Sequence, residues 1–170
     1  MNIRNGLIAA ASALALAALA TGASAGTVSA TANATATVIS PTTITKTQDM
    51  VFGSLVRPTV GTTTFTLDSS DHVTAGTNGN GTVVASTTSS AKFNIASQGL
   101  INYTLAPTLT FTQAGLTNIT VGPVATTSGT PGQVPAGGTQ EIRYGASFDV
   151  GIATTPQAYT GTLSVVVTYN

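Results

Sequence analysis

Cysteine and tryptophan are both absent from this sequence, and charged residues make up only 6% of its 170 residues. The absence of cysteine excludes disulfides, zinc–thiolate sites, iron–sulfur clusters and cysteine nucleophiles. The few charges balance at five basic and five acidic residues, so the chain lacks the basic surface with which proteins bind nucleic acid. A domain without disulfides has to be held together by its own core, or by a strand that a partner supplies.

Helical patterning is also absent beyond residue 25, where threonine dominates and alanine, glycine, serine and valine follow. So many β-branched residues favour strands over helices. The composition is too apolar for a charged disordered chain, and hydroxyl groups have to provide the solubility that charges usually provide. We therefore expect an all-β protein.

The first 25 residues have the three parts of a signal peptide. Arg4 gives a positive start, Leu7–Ala20 is an uninterrupted run of apolar and small residues, and Ala23–Ala25 forms an A-x-A cleavage site. The run is too short and too rich in alanine to span a membrane comfortably. We predict that residues 1–25 are cleaved on export, and that the protein reaches the periplasm and then the cell surface or extracellular space.

The segment Tyr159–Asn170 alternates between apolar and hydroxyl residues. This alternation is typical of a strand with one buried face. A strand this apolar at an open edge invites pairing with another chain, so we expect a partner strand to cover it. The residues expected to line the resulting groove are Leu163, Val165, Val167 and Tyr169.

The cleanest alternation in the sequence spans residues 28–38 and is followed by Pro41, a residue found at strand edges and breaks. Fully extended, it would measure about 35 Å. One interpretation makes it the first strand of the domain; the other makes residues 26–38 an arm that fills a groove in a neighbouring subunit. The residues that such an arm would insert are Val28, Ala30, Ala32, Ala34, Ala36 and Val38.

Between these two segments, residues 39–170 show a series of short strand patterns separated by turn residues. A strand within Ile44–Leu55 is expected to enter the core through Met50, Phe52 and Leu55 and to bend at Gly53. The other predicted strands are Thr63–Leu67, Val83–Ser86, Lys92–Ala96, Ile101–Leu105, Thr108–Thr112 and Ile142–Ile152, and Gly122–Gly138 is predicted as a loop. Short strands at regular spacing without helices predict an antiparallel β-sandwich, with immunoglobulin-like topology as the natural choice.

Several motifs in order resemble a bacterial family called domain of unknown function 4402. They are the alanine–threonine opening through Val38-Ile39, Thr45-Lys46-Thr47 followed by Asp49-Met50-Val51-Phe52-Gly53, and the closing segment from Tyr159-Thr160-Gly161 to Asn170. The resemblance implies a secreted β-sandwich with no assigned activity. More distantly the chain is similar to spore coat protein U and to pilin subunits of the chaperone–usher pathway.

The similarity to pilins implies an incomplete immunoglobulin-like fold that lacks its last strand. It further implies that a periplasmic chaperone, working with an outer-membrane usher, fills the groove first, and that the arm of a like subunit then replaces it by strand exchange. Tyr169 resembles the penultimate aromatic residue of pilins. The arm departs from the pilin pattern because four of its six inward residues are alanines, and alanine gains less on burial than larger side chains.

The only cluster of polar residues that could bind an ion or act in catalysis is Asp68-Ser69-Ser70-Asp71-His72. It is interpreted as a turn, with a weak cation site and an acid–base pair as alternatives. No catalytic, cofactor-binding or metal site is predicted, and no small-molecule substrate is evident, because a G-x-S-x-G elbow and a Gly-rich phosphate loop are missing. We hypothesise a non-enzymatic, fimbria-like or coat-like subunit; the alternative is a self-complete secreted module that binds a surface glycan or protein.

Overall fold

The computed structural model of the chain describes residues 27–38, 40–126 and 132–169. These residues are all-β, with ten strands and no helix, and so none of them forms a helix that could cross a membrane. The strands are β1 (Thr43–Gln48), β2 (Ser54–Val56), β3 (Thr62–Leu67), β4 (Val73–Ala75), β5 (Thr82–Val84), β6 (Ala91–Ala96), β7 (Tyr103–Phe111), β8 (Leu116–Thr126), β9 (Thr139–Gly151) and β10 (Gly161–Tyr169). The prediction of an all-β antiparallel sandwich is confirmed, whereas the predicted signal peptide lies outside the described residues.

Strand β9 is the centre of the main sheet. Its first half pairs with β6 and its second half with β3, while β8 pairs along its other edge. β1 continues the sheet beyond β6, and β4 continues it beyond β3. Every even-numbered residue of β9 from Gln140 to Val150 is buried, as expected for a strand whose inner face forms the core.

Strands β7 and β10 form a separate two-stranded ribbon, with Gly161 opposite Phe111 at one end and Tyr169 opposite Tyr103 at the other. Apolar residues of the ribbon, among them Leu105 and Leu163, pack against a cluster of buried residues from β6 and β9. Tyr144 lies in this cluster, where burial raises the pKa of its phenol to about 12 and the phenol of Tyr103 adds a smaller upward effect. The ribbon and the main sheet thus enclose one part of the core.

A second part of the core consists of phenylalanine rings around Phe148. The ring centroid of Phe52 lies 4.6 Å from that of Phe148, and the centroids of Phe111 and Phe65 lie 5.5 Å and 6.4 Å from it. Tilted and edge-to-face contacts at these distances are the geometry that aromatic pairs prefer. The rings connect the main sheet to the start of the ribbon and to the segment between β1 and β2.

Four sequence predictions of strands and loops need correction. The strand expected within Ile44–Leu55 is two strands, β1 and β2, separated by residues 49–53, and Gly53, where a bend was predicted, has a φ of +73°. The strands expected at Ile101–Leu105 and Thr108–Thr112 are one, which runs through Pro107. The loop expected at Gly122–Gly138 begins later, since β8 extends to Thr126, and the strand expected to keep Ile152 inward ends at Gly151, leaving Ile152 exposed.

Residues 27–38 lie in no strand, and every one of them is exposed. The side chains at the two ends of the alternation are almost fully accessible, at 95% for Val28 and 89% for Val38. An extended segment with regularly spaced apolar side chains in water leaves that apolar surface without compensation. The segment therefore presents its apolar side chains to solvent.

Candidate binding groove at an open sheet edge

Strand β10 has one paired edge and one open edge. Among the described strands it pairs only with β7. The Thr112 amide donates to the Thr160 carbonyl at 2.8 Å, in the same register as the ribbon. Because alternate residues of an antiparallel strand direct both backbone groups to the same neighbour, the even-numbered residues of β10 bond to β7. The residues whose amide and carbonyl groups face the open edge are Gly161, Leu163, Val165, Val167 and Tyr169.

The opposite edge of the ribbon is blocked. By the same alternation, the odd-numbered residues of β7 direct their backbone groups away from β10, and Pro107 is one of them. Proline cannot donate a ladder hydrogen bond, and it commonly protects an edge strand from further pairing. Val165, directly opposite Pro107 on β10, has an amide that can donate. The ribbon can therefore be extended at β10 but not readily at β7.

A groove runs beside the first residues of β10, and we call it the edge groove. It has a volume of about 570 Å³ and is bounded by residues 46–53 on one side and by residues 159–163 on the other. Phe93, Leu109 and Phe111 are among its apolar lining residues. The groove thus adjoins the open backbone edge and offers apolar contacts beneath it.

The inner face of the ribbon is incompletely covered. Seven of its inward side chains are only half-buried: Leu105, Pro107, Leu109, Phe111, Leu163, Val165 and Val167. By contrast, the inward residues of β9 from Gln140 to Val150 are all buried. Since apolar side chains on a sandwich core are normally covered by the facing layer, the ribbon lies over a core that another strand could complete.

The groove carries one ion pair. The Lys46 ammonium lies 2.6 Å from an Asp49 carboxylate oxygen, and both side chains are mostly exposed. The two charges compensate each other at the rim of the groove. An occupant therefore needs no charge of its own.

The predicted groove-lining residues do not all line the edge groove. Leu163 lines the edge groove, while Val165 and Val167 pack against the core cluster farther along the ribbon. Tyr169 lies at the end of β10 and is 48% exposed. Sequence reasoning missed the other wall, residues 46–53, because nothing in a single sequence pairs that segment with β10. The predicted arm residues are exposed, as described above.

A comparison with known protein families gives a match that covers the strands described above. A family model described as domain of unknown function (DUF4402) matches residues 42–169. The chain belongs to the DUF4402 family. The family resemblance noted in the sequence is thereby confirmed. No curated protein and no solved structure matches the chain. The DUF4402 match starts next to β1 and ends with the last residue of β10, so it contains all ten strands, and residues 28–38 precede it.

The acidic turn of the DUF4402 domain is held by its own hydrogen bonds. One carboxylate oxygen of Asp68 accepts from the Ser70 amide at 2.8 Å and from the His72 amide at 2.9 Å. The imidazole of His72 stays largely exposed, 3.8 Å from the other oxygen of Asp68. Among the described residues no group of three or more His, Cys, Asp or Glu side chains could hold a metal ion. Asp68 thus serves as a turn cap.

Asp71 connects this turn to the segment before β6. Its carboxylate accepts from the Ser90 amide at 2.7 Å and from the Ser90 hydroxyl at 2.6 Å, and Lys92 lies 3.9 Å away. Asp71 has a φ of +69°, a conformation that aspartate and asparagine tolerate better than other side chains. The hydrogen bonds from the hydroxyl and then the amide of Ser90 are the main causes that lower the pKa of Asp71 below its ordinary value of 3.8.

We expect Asp71→Asn to lower stability at neutral pH and to flatten its dependence on acid. A depressed carboxylate pKa stabilises the fold above the unfolded-state pKa, and this contribution is lost as the pH falls through the folded-state value. Since the carboxylate is partly exposed, the loss should be about 1 kcal/mol, or about 4 °C in melting temperature. Thermal melts between about pH 7 and about pH 2 test this.

Asp49→Asn is the matched control, because its partner Lys46 is exposed and such pairs contribute little. The wild-type protein and the control should lose stability in parallel below about pH 4, and Asp71→Asn should lose less. Equal slopes for all three proteins would show that the Ser90 contacts do not stabilise the charged form.

Proposed function

We propose that this chain is a non-enzymatic structural subunit of a surface polymer, in which each copy accepts an extended strand of another copy at the open edge of β10. The observation that carries the proposal is the unpaired edge itself. Five residues of β10 direct an amide and a carbonyl towards it, and the edge groove beside it is apolar. Unpaired strand edges are templates for another chain unless they are covered.

The chain itself supplies a segment of suitable length and pattern, residues 28–38. Added antiparallel to β10, a strand places opposite residues on the same face of the sheet. The six even-numbered residues of the arm would then face the core, and Thr31, Asn33 and Thr35 would face solvent. The arm contains no charged residue, which suits a groove whose one ion pair is already compensated.

The small side chains of the arm also suit the groove. The rings of Phe52 and Phe111 line the groove, and both pack on the ring of Phe148. Because a closely packed interior tolerates extra volume poorly, alanine methyl groups can contact these rings without displacing them. Each methyl contributes only about 0.8 kcal/mol on burial, so backbone hydrogen bonds would provide much of the affinity.

The proposal includes export of the subunit and its display at the cell surface. An open edge beside an apolar groove is a hazard for aggregation before assembly. A periplasmic chaperone that covers the edge, and an outer-membrane usher that exchanges it for the next arm, would remove this hazard. The family membership supports a shared fold and adds nothing on these partners.

Substitutions on the inward and outward faces of the arm provide a direct test of strand addition. Ala34→Asp would place a carboxylate in the groove, and burial of an unpaired charge costs several kcal/mol. We expect the dissociation constant between subunits to rise at least about 100-fold, and sedimentation velocity to show monomers. Thr35→Asp adds the same charge on the outward parity, and we expect it to sediment as the wild-type polymer does.

Both residues are exposed in the described chain, so neither variant should change the melting temperature of the monomer. Two results contradict the proposal. One is a wild-type protein that stays monomeric at every concentration tested, and the other is polymers of equal size from both variants.

A further inference from the structure

A second cavity, which we call the Arg57 pocket, lies between the segment after β1 and the loop that leads into β10. It has a volume of about 490 Å³. Its lining includes Leu55, Arg57, Phe111, Phe148, Thr155 and Gln157. It adjoins the edge groove, with which it shares Gly53, Phe111 and Tyr159. Cavities of this size with a mainly apolar floor and a few polar groups are typical small-molecule sites.

Arg57 is the basic residue of the described chain that lacks an acidic partner. Lys46, Lys92 and Arg143 each lie within 4 Å of a carboxylate. The Nη1 atom of Arg57 instead donates to the Thr154 carbonyl at 3.1 Å. A guanidinium has five N–H donors, so most of them remain available to an anion. A planar fork of this kind binds a carboxylate through two parallel hydrogen bonds.

The walls around Arg57 are held in place. The Thr154 hydroxyl is nearly buried, donates to the Gly115 carbonyl at 3.0 Å and accepts from the Gly151 amide at 3.1 Å. The Tyr159 hydroxyl donates to the Thr155 carbonyl at 2.8 Å. These bonds fix the loop that carries the acceptor of Arg57, and a fixed site loses less entropy when a ligand binds.

The floor and the rim of the pocket differ in polarity. The half-buried ring of Phe111 is the accessible part of the floor, and the buried ring of Phe148 backs it edge to face at a centroid distance of 5.5 Å. At the rim, the side chains of Thr155 and Gln157 are exposed to solvent. A sugar ring matches both, since it has an apolar face of C–H groups and an edge of hydroxyl groups. A purely aromatic acid would match Arg57 and the floor but not the rim.

We infer that the Arg57 pocket binds a carboxylate-bearing sugar of the uronic acid class. The carboxylate lies on the guanidinium of Arg57, the ring packs on Phe111, and the hydroxyl groups bond to Thr155 and Gln157. This inference does not depend on strand addition at β10. It gives the subunit a binding site for acidic polysaccharide.

NMR titration of the full chain with D-glucuronate tests the site, with D-glucose and benzoate as comparison ligands. For a single sugar we expect a dissociation constant on the order of 1 mM, and shifts centred on the amides of Thr155 and Gln157. Arg57→Gln should weaken binding at least about tenfold, which corresponds to about 1.4 kcal/mol. Arg57→Lys should restore only part of the affinity, because an ammonium cannot form the two parallel bonds.

Arg143→Gln is the matched control, since it removes the same charge from a residue that does not line the pocket. It should bind glucuronate as the wild-type protein does. The inference is overturned if glucose binds as well as glucuronate, if Arg57→Gln binds as tightly as wild type, or if only benzoate binds. If Arg57→Gln does not fold, the chemical-shift changes of the wild-type protein test the inference instead. Changes centred away from Thr155 and Gln157 would exclude the Arg57 pocket as the binding site.

Discussion

A chain that begins at Ser40 is expected to run as a single monomer band on an unboiled denaturing gel, whereas a chain that begins at Gly26 gives a ladder which collapses on boiling. The shorter chain retains β10 and the edge groove but has no arm to donate. Strand-exchanged assemblies are kinetically stable, because many backbone hydrogen bonds have to break together before a subunit leaves. This effect is all-or-none and is the largest we expect.

The shorter chain should remain folded, because every residue from 27 to 38 is exposed and lies outside the strands. Its melting temperature should fall within about 2 °C of that of the longer monomer. Unfolding of the shorter chain, together with monomer bands from both chains, would contradict the proposal. It would show that residues 28–38 serve as the first strand of their own domain.

A peptide of residues 27–38 added to the shorter chain gives a second readout. A peptide that binds only the folded state raises the free energy of unfolding. Above the dissociation constant, this increase is proportional to the logarithm of the peptide concentration. A peptide with Ala34→Asp should have no effect, while one with Thr35→Asp should act as the unmodified peptide does. Stabilisation by both variant peptides would indicate that the peptide adsorbs to the domain without a defined strand register.

The parts of the fold that sequence predicted are the strands with uninterrupted alternation. β3, β6 and β9 each bury one parity over their whole length, and β10 half-buries Leu163, Val165 and Val167; that period is visible without any knowledge of neighbours. β8 was missed for a physical reason. Its pairing with β9 shifts register between Thr117 and Thr120 and again between Val121 and Val124. The first irregularity moves the half-buried parity from Leu116 to Ile119 and Val121, and after the second Val124 is 39% exposed, so no single alternation runs through the strand.

Pro107 shows how a local rule fails when the neighbour is unknown. Proline interrupts a strand only where its nitrogen would donate to the ladder. In β7 that nitrogen faces the edge away from β10, so the strand continues from Tyr103 to Phe111. Which edge is paired depends on the register with β10, more than 50 residues later in the chain. Sequence alone therefore divided one strand into two.

The candidate sites depend even more on long-range contacts. Alternation at β10 predicted a strand that needs cover, but the opposite wall of the edge groove comes from residues 46–53. Arg57 has no local signal, since its hydrogen-bond acceptor Thr154 is 97 residues away. The side chains of the Arg57 pocket are brought together by the fold and share no motif.

Replacing Gly145 with alanine is expected to destabilise the domain by about 3 kcal/mol or more, the upper range for overpacking. Gly145 lies where β9 changes partners, between Tyr144, which pairs with β6, and Ala146, which pairs with β3. A Cβ atom there would lie 2.1 Å from the Leu67 carbonyl oxygen and 3.1 Å from the Asp68 carbonyl carbon. Both are main-chain atoms at the end of β3, so no side chain can rotate to make room.

Gly151→Ala is a closely matched control, because Gly151 belongs to the same strand and the same parity as Gly145. Its added methyl group would meet only the Thr62 hydroxyl, at an ordinary 3.7 Å, and we expect stability within about 0.5 kcal/mol of wild type. Thermal melts of the two variants should differ by about 10 °C. A Gly145→Ala variant that melts with the control would mean that the end of β3 can move away from β9. In that case the Asp71–Ser90 contacts, which follow β3 in the chain, would not depend on the close approach of β3 to Gly145.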